Sequence, residues 1–153
     1  MARPQSVVRF TWLYLASVIV ALVTFALAWG QMMDQFAANP QFAGNPQVLN
    51  MIPAMMIGFL VIYYGITLLF WWLVGFKGVN AMRWIFAILN GLGLVFFLYG
   101  LANGAQQQST ISMIGSILAW GLAIVAFYFV FQRDANAWFT GSVDADTAAD
   151  PFA

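Results

Sequence analysis

The chain has 153 residues, of which 63% are hydrophobic and only 7% are charged. Soluble domains carry about 25% charged residues, so this composition indicates one compact domain whose solvent is a lipid bilayer. Five Lys and Arg residues balance five acidic residues, and a net charge of zero gives no electrostatic attraction for nucleic acid.

Several kinds of chemistry are excluded because the chain contains no Cys, no His and no Glu. Without a thiolate or an imidazole there is no usual ligand set for zinc, haem or an iron–sulfur cluster, and no Ser–His or Cys–His nucleophile pair. Asp34 and Asp134 are the only acids before the C-terminal tail. The predicted topology puts them on opposite sides of the membrane, so they cannot act as an acid–base pair. We therefore expect a protein that is not an enzyme and needs no cofactor.

Four apolar segments without charge follow one another at about residues 10–30, 52–74, 84–103 and 110–131. About 20 apolar residues at ~1.5 Å per residue span the ~30 Å hydrocarbon core of a bilayer. The pattern predicts an all-α fold, an integral membrane four-helix bundle made of two antiparallel hairpins. The transmembrane domain is predicted over residues 1–139.

The first apolar segment has a second interpretation, a cleaved signal peptide. Residues 26–28 read Ala-Leu-Ala after a basic arm, which fits the cleavage pattern of such peptides. The apolar run is longer than their usual ~7–15 residues, and this favours a membrane span.

Residues 31–51 are predicted to form the longest connection, lying along the membrane surface or capping the bundle. Their two Asn-Pro-Gln triplets, which start at Asn39 and Asn45, indicate turns. Pro53 is expected in the first turn of the second span, where proline is tolerated. Residues 140–153 are acidic and lack an apolar run, so we expect a disordered tail.

All the basic residues fall on one side of the predicted four-helix topology: Arg3, Arg9, Lys77, Arg83 and Arg133. The positive-inside rule then places both termini and the central connection in the cytoplasm. Arg9, Lys77, Arg83 and Arg133 are the anchors of this topology. With neighbouring tryptophans they are expected to form a basic rim that contacts anionic lipid headgroups or a partner.

Asn90 is the strongly polar side chain deep inside a predicted span. A polar group in hydrocarbon faces other helices and hydrogen-bonds to them. We expect an interhelical hydrogen bond, for which Tyr64 is a candidate partner, in preference to a substrate or lipid contact.

Small residues recur four positions apart, at Ala54 and Gly58, at Ala87 and Gly91, and at Gly115 and Ala119. Such pairs let helix backbones approach closely, either within the chain or with a partner.

Methionines collect on the side opposite the basic residues, among them Met51, Met55 and Met56. Thioethers can bind Cu(I), but without His or Cys nearby a gap-filling role in an apolar cap is favoured.

Three short stretches together carry a resemblance: the start Arg3-Pro4-x-Ser6-Val7, the basic connection before Trp84, and the close Arg133-Asp134-Ala135-x-Ala137-Trp138-Phe139. On these the chain resembles a group of small bacterial inner-membrane proteins with four helices and no assigned function. The resemblance implies a multi-pass protein of the bacterial inner membrane, and it brings no catalytic residues.

Two functions are compatible with these observations. One is a non-enzymatic membrane protein that acts by contact, as an accessory subunit, assembly factor or envelope scaffold within a larger membrane complex or a homo-oligomer. The other is a small transporter or channel component. Because no charged residue lies inside a predicted span, it would carry an uncharged solute.

Overall fold

The computed structural model describes residues 3–43, 45–104 and 109–141, and this part of the chain forms six helices. They are α1 (Gln5–Ala38), α2 (Pro40–Ala43), α3 (Pro46–Gly75), α4 (Asn80–Gly104), α5 (Thr110–Val130) and α6 (Arg133–Thr140). Four of them, α1, α3, α4 and α5, are long and apolar enough to cross a membrane. The predicted all-α, multi-pass fold is therefore confirmed, while the predicted tail lies mostly outside the described residues.

Two helices, α3 and α5, begin at the end of the bundle opposite the basic residues, and each begins at a side-chain cap. Asn45 precedes α3 and its side chain accepts a hydrogen bond from the N–H of Val48, with Pro46 in the first turn. Ser109 precedes α5 and its hydroxyl accepts from the N–H of Ser112 at 3.1 Å. Because the first N–H groups of a helix lack a partner within the helix, these caps satisfy donors that would otherwise be unpaired.

The connection predicted over residues 31–51 is instead mostly helical. Residues 31–38 contain good helix formers and no glycine or proline, so α1 continues to Ala38. It ends there because Pro40 forces Asn39 into an extended conformation, with ψ 121°. The early start of α3 at Pro46 also places Pro53 inside the helix and not in its first turn as expected.

The buried core lies in one half of the bundle, towards the end where the basic residues collect. We call the part formed by residues 3–10, 72–84 and 130–141 the basic end. The core cluster consists of Val7, Phe10, Tyr14, Val18, Val74, Phe86, Ala123, Ala126, Val130, Ala135 and Phe139. Its centre is the contact between α1 and α5, the most closely packed pair of helices. Small residues on α5, including Ala123 and Ala126, let the two backbones approach.

The α4 helix is the least covered of the four spans. It packs mainly against α3, to which the turn at residues 76–79 connects it, and only slightly against α5. Large side chains such as Val95 and Phe96 are exposed along it. In a bilayer this surface contacts lipid tails, which are as apolar as the side chains, so its exposure carries little cost.

Replacing Phe10 with alanine is expected to lower the free energy of unfolding by about 2–4 kcal/mol, because it leaves a cavity in the core. Phe10 is fully buried, and its ring centroid lies 5.8 Å from those of Tyr14 and Phe127. The measurement is unfolding in mild detergent titrated with a denaturing detergent. Phe96→Ala is the matched control, since Phe96 is 73% exposed, and its change should stay within about 0.5 kcal/mol. Equal losses in the two variants would contradict the described core.

Candidate functional site

Three separate stretches of the sequence meet at the basic end. The backbone N–H of Ser6 donates to the Asp134 carboxylate at 3.3 Å, which joins the start of α1 to α6. The Arg3 guanidinium donates to the carbonyl of Gly75 at 3.3 Å, which joins the N-terminal arm to the end of α3. These stretches include the arginine-proline start, the central connection and the Arg-Asp-Ala close that carry the sequence resemblance. The motifs are thus parts of one cluster, which their positions in the sequence did not reveal.

Arg83 is buried at this end, with 5% of its surface exposed. Its guanidinium donates a hydrogen bond to the side-chain oxygen of Asn136 on α6. The guanidinium carbon also lies 4.8–5.7 Å from the ring centroids of Phe139, Phe131 and Trp84. No carboxylate of the described residues pairs with Arg83, and its Nε lacks a hydrogen-bond partner there. Ring faces and one amide therefore compensate the desolvated charge, and they hold α6 against α4.

Three further cations at the basic end lie over aromatic rings. The pairs are Arg3 over Phe76 at 4.5 Å, Lys77 over Trp72 at 5.0 Å and Arg9 over Phe129 at 5.5 Å. Arg133 is exposed at the start of α6. The predicted anchors therefore do lie at one end. The burial of Arg83 was not predicted, because cation–ring contacts between distant segments leave no local pattern.

The turn between α3 and α4 requires glycine at position 78. Gly78 has a φ of 63°, which side-chain-bearing residues rarely adopt. A Cβ atom there would also lie 2.9 Å from the Trp138 ring. The turn and α6 are thus in direct contact, and Trp138 can pack there only because residue 78 has no side chain.

Asp134 is exposed at the start of α6, and its pKa is lowered from the ordinary value. Desolvation alone would raise the pKa, but hydrogen bonds from Ser6 and from the backbone N–H of Ala135 outweigh it. Asp134 also lies in the first turn of α6, where the helix dipole favours a negative charge. The carboxylate form is therefore the one that holds α6 to the start of α1.

Asn90 makes the interhelical hydrogen bond that its position predicted. Its side-chain oxygen accepts from the Tyr14 hydroxyl at 3.0 Å, and its side-chain N–H₂ donates to the Phe86 carbonyl at 2.9 Å. The partner is on α1, so the suggested bond with Tyr64 was wrong. Depth in the membrane could have indicated Tyr14. It follows Arg9 by five residues and Asn90 follows Arg83 by seven, and both helices enter from the basic end.

Aromatic rings surround this bond in the basic half of the bundle. Ring centroids are 4.9 Å apart for Tyr14 and Phe86, 5.3 Å for Phe86 and Phe127, and 5.5 Å for Phe86 and Phe70. With Phe10 these residues form what we call the aromatic plug. Their edge-to-face and stacked contacts join α1, α3, α4 and α5 at this level of the bundle.

Beyond the plug, α1, α3 and α5 enclose a polar cleft. It has an outer part of about 420 Å³ and an inner part of about 170 Å³, and Tyr64 and Trp120 form walls of both. The polar side chains that line it are Ser17, Thr24, Gln31, Gln35, Tyr63, Tyr64, Thr67, Asn90, Ser109, Ser112, Ser116 and Trp120, with Tyr14 at its inner end. None of the described lining residues is charged. The sequence pattern indicated only Asn90 and Tyr64 among these residues, because isolated Ser and Thr residues are common in apolar helices.

An apolar groove of about 430 Å³ runs beside the polar cleft along α3. Phe25 and Tyr64 belong to both spaces, while Met55, Met56 and Phe59 are lined up in the groove alone. Met51 is exposed on the same helix. Met55 and Met56 line the groove beside aromatic rings, but Met55 is 65% exposed. The gap-filling role and the Cu(I) hypothesis for Met51, Met55 and Met56 therefore both stay predictions.

Comparison of the chain with protein-family models, curated proteins and solved structures finds no match.

What the cleft can bind is therefore inferred from its side chains alone. Hydroxyls, amides and an indole N–H can bind a neutral polar group in the cleft. Asp34 and Asp134 lie near opposite ends of α1, about 40 Å apart at ~1.5 Å per residue, so they form no acid–base pair.

Removing the Tyr14–Asn90 hydrogen bond is expected to weaken the bundle modestly. Tyr14→Phe, Asn90→Leu and the double variant should give a coupling energy of about 0.6–1.7 kcal/mol, the range for hydrogen bonds between membrane helices. Unfolding in mild detergent measures it. Tyr99→Phe removes the hydroxyl of a 68% exposed residue and should have no effect. Strict additivity of the two substitutions would contradict the bond.

Acidification is expected to weaken the link between α6 and the start of α1. Because the folded-state pKa of Asp134 is lowered, below the unfolded value of about 3.9, the undocked form takes up the proton first. The stabilisation is therefore present at neutral pH and is lost as the pH falls below about 4. The chemical shift of the Ser6 amide in micelles should follow this titration, and Asp134→Asn should abolish it. A midpoint above the unfolded value would show that desolvation outweighs the hydrogen bonds.

Proposed function

We propose that the chain is a non-enzymatic, multi-pass protein of a bacterial inner membrane that acts by contact with another membrane protein. It serves as an accessory subunit, an assembly factor or an envelope scaffold. In this proposal the basic end faces the cytoplasm, as the positive-inside rule predicts for its five cations. The cations that lie over aromatic rings are suited to the headgroup level of anionic lipids.

The observation that carries this proposal is that two of the three small-residue faces are uncovered. Gly115 and Ala119 are used within the chain: a Cβ at Gly115 would collide with Thr24 of α1, and Ala119 is buried. By contrast, a Cβ placed at Gly58 on α3 or at Gly91 on α4 would meet no atom within 4 Å. A small-residue face of this kind packs a helix against its neighbour in a membrane. The faces at Gly58 and Gly91 are therefore suited to helices of a partner.

Filling these faces is expected to break association without unfolding the protein. Gly58→Leu and Gly91→Leu add side chains in open space, so the fold should persist while the partner is lost. The tagged full-length protein would be purified from its native membrane in mild detergent after cross-linking, and the co-purified proteins compared between variants. We expect a stoichiometric partner with the unaltered chain and at least a tenfold loss in the Gly91→Leu variant, on the scale of one lost helix contact.

Two further variants are the controls. A Cβ at Gly121 on α5 also meets no atom within 4 Å, but Gly121 belongs to neither uncovered face, so Gly121→Leu should retain the partner. Gly115→Leu should instead destabilise the fold by collision with Thr24. A partner retained by the Gly58→Leu and Gly91→Leu variants alike would contradict the proposal.

The polar cleft favours a second candidate, a transporter or channel component for an uncharged solute. Its lining is neutral, which fits a solute without charge, and the aromatic plug lies between the cleft and the basic end. A path past the plug would come from a second conformation or from a pore between copies. Purification of a homo-oligomer alone, with solute flux in liposomes, would favour this candidate over the contact function.

A further inference from the structure

Several polar groups in the cleft have no hydrogen-bond partner among the described residues. They include the hydroxyls of Thr24, Tyr64 and Ser116 and the indole N–H of Trp120, all of which line the outer part of the cleft. They are not among the fully buried unpaired side-chain atoms of the described residues, which are the Ser6 hydroxyl oxygen and Arg83 Nε, so they are accessible from within the cleft. Hydrocarbon supplies no partner for such groups, and an occupant of the cleft with hydrogen-bonding groups would satisfy them.

The position of these groups indicates where a polar headgroup would lie. Gln31 directly follows the apolar run of residues 10–30, and Ser112 is in the first turn of α5, so both are near the membrane surface. Thr24 and Ser116 lie deeper by one to two helical turns, about 5–10 Å. The polar lining thus extends from the surface into the hydrocarbon region.

The apolar groove continues from this polar lining through shared walls at Phe25 and Tyr64. It follows α3 from Met55 through Phe59 to Tyr63, away from the membrane surface and towards the centre of the bilayer. A lipid that lies in its normal orientation has its headgroup at the surface and its chains running inward. The two joined spaces have the same arrangement, and each has a volume within the ~300–1,000 Å³ of ligand sites.

The geometry points to a binding site for a neutral, hydroxyl-bearing lipid of the diacylglycerol class. Its hydroxyl and ester groups would bind Tyr64, Ser116 and Trp120 in the polar cleft, while one acyl chain lies in the groove beside Phe59. A neutral headgroup is specified because no described lining residue is charged, so a phosphate would be buried without a counter-charge. The site is independent of the uncovered faces at Gly58 and Gly91.

The test uses a diacylglycerol analogue that carries a photoactivatable diazirine in one acyl chain. The full-length protein is reconstituted into phosphatidylcholine vesicles, irradiated, and mapped by mass spectrometry. We expect saturable labelling of residues 55–64. Unlabelled dioleoylglycerol should compete with the probe, and an equal amount of dioleoylphosphatidylglycerol should not.

Variants then separate specific binding from general lipid contact. Ser116→Leu fills the polar cleft and is expected to lower labelling at least tenfold. Its control is Thr110→Leu on the same helix, where Thr110 is exposed and outside the cleft. Tyr64→Phe removes one hydroxyl and should weaken binding about two- to tenfold, the scale of one hydrogen bond. Its control is Tyr99→Phe.

If Ser116→Leu does not fold, Tyr64→Phe decides, since it changes a single polar atom. Labelling that does not saturate, or that the anionic lipid competes equally well, would overturn the proposal. Unchanged labelling in a folded Ser116→Leu variant would also overturn it. If Ser116→Leu does not fold, unchanged labelling in Tyr64→Phe would do the same. Loss of a protein partner in the Gly91→Leu variant would have no bearing on this outcome.

Discussion

The absence of water inside a bilayer is the constraint on which this structure depends. Helices there are not drawn together by the hydrophobic effect, so close packing and hydrogen bonds must hold them. The contact between α1 and α5 uses small residues such as Ala123 and Ala126, and the Tyr14–Asn90 bond adds α4. These interactions are concentrated in the half of the bundle near the basic end. The other half remains more open, and its polar groups face a cleft.

The basic end shows how charges are accommodated at the border of the bilayer. Four of the five cations lie over aromatic rings. One of these cations, Arg83, is buried among three aromatic rings. An aromatic face attracts a cation and also packs against apolar groups, so one ring can contact a cation and the hydrocarbon region at the same time. This explains why arginines and aromatics recur together at each boundary of the sequence. It also explains how the N-terminal arm, the Gly78 turn and α6 become one unit.

The features that depend on composition and charge positions could be predicted from the sequence. Which side of each helix packs against which neighbour could not. The four spans, the common end of the basic residues and the bonding of Asn90 follow from apolar length, charge positions and one isolated amide. The partner Tyr14, the burial of Arg83 and the short helix α6 do not. In a soluble protein an amphipathic period would show which face packs. Here lipid is as apolar as the core, so the buried face of α1 differs from the exposed face mainly by hydroxyl residues such as Ser6, Thr11 and Ser17, and not by apolar character.

The close contact of α1 with α5 has a consequence for synthesis. The two helices are separated by about 70 residues of chain, and translation proceeds at about 5–20 residues per second. For several seconds α1 is therefore in the membrane without its main packing partner, and the side chains of Tyr14 and Thr24 are uncovered. The hydroxyl of Tyr14 can meet Asn90 once α4 arrives, but the face of α1 is closed only by α5. The contact that centres the core therefore forms only when α5, the last of these four spans in chain order, has been made.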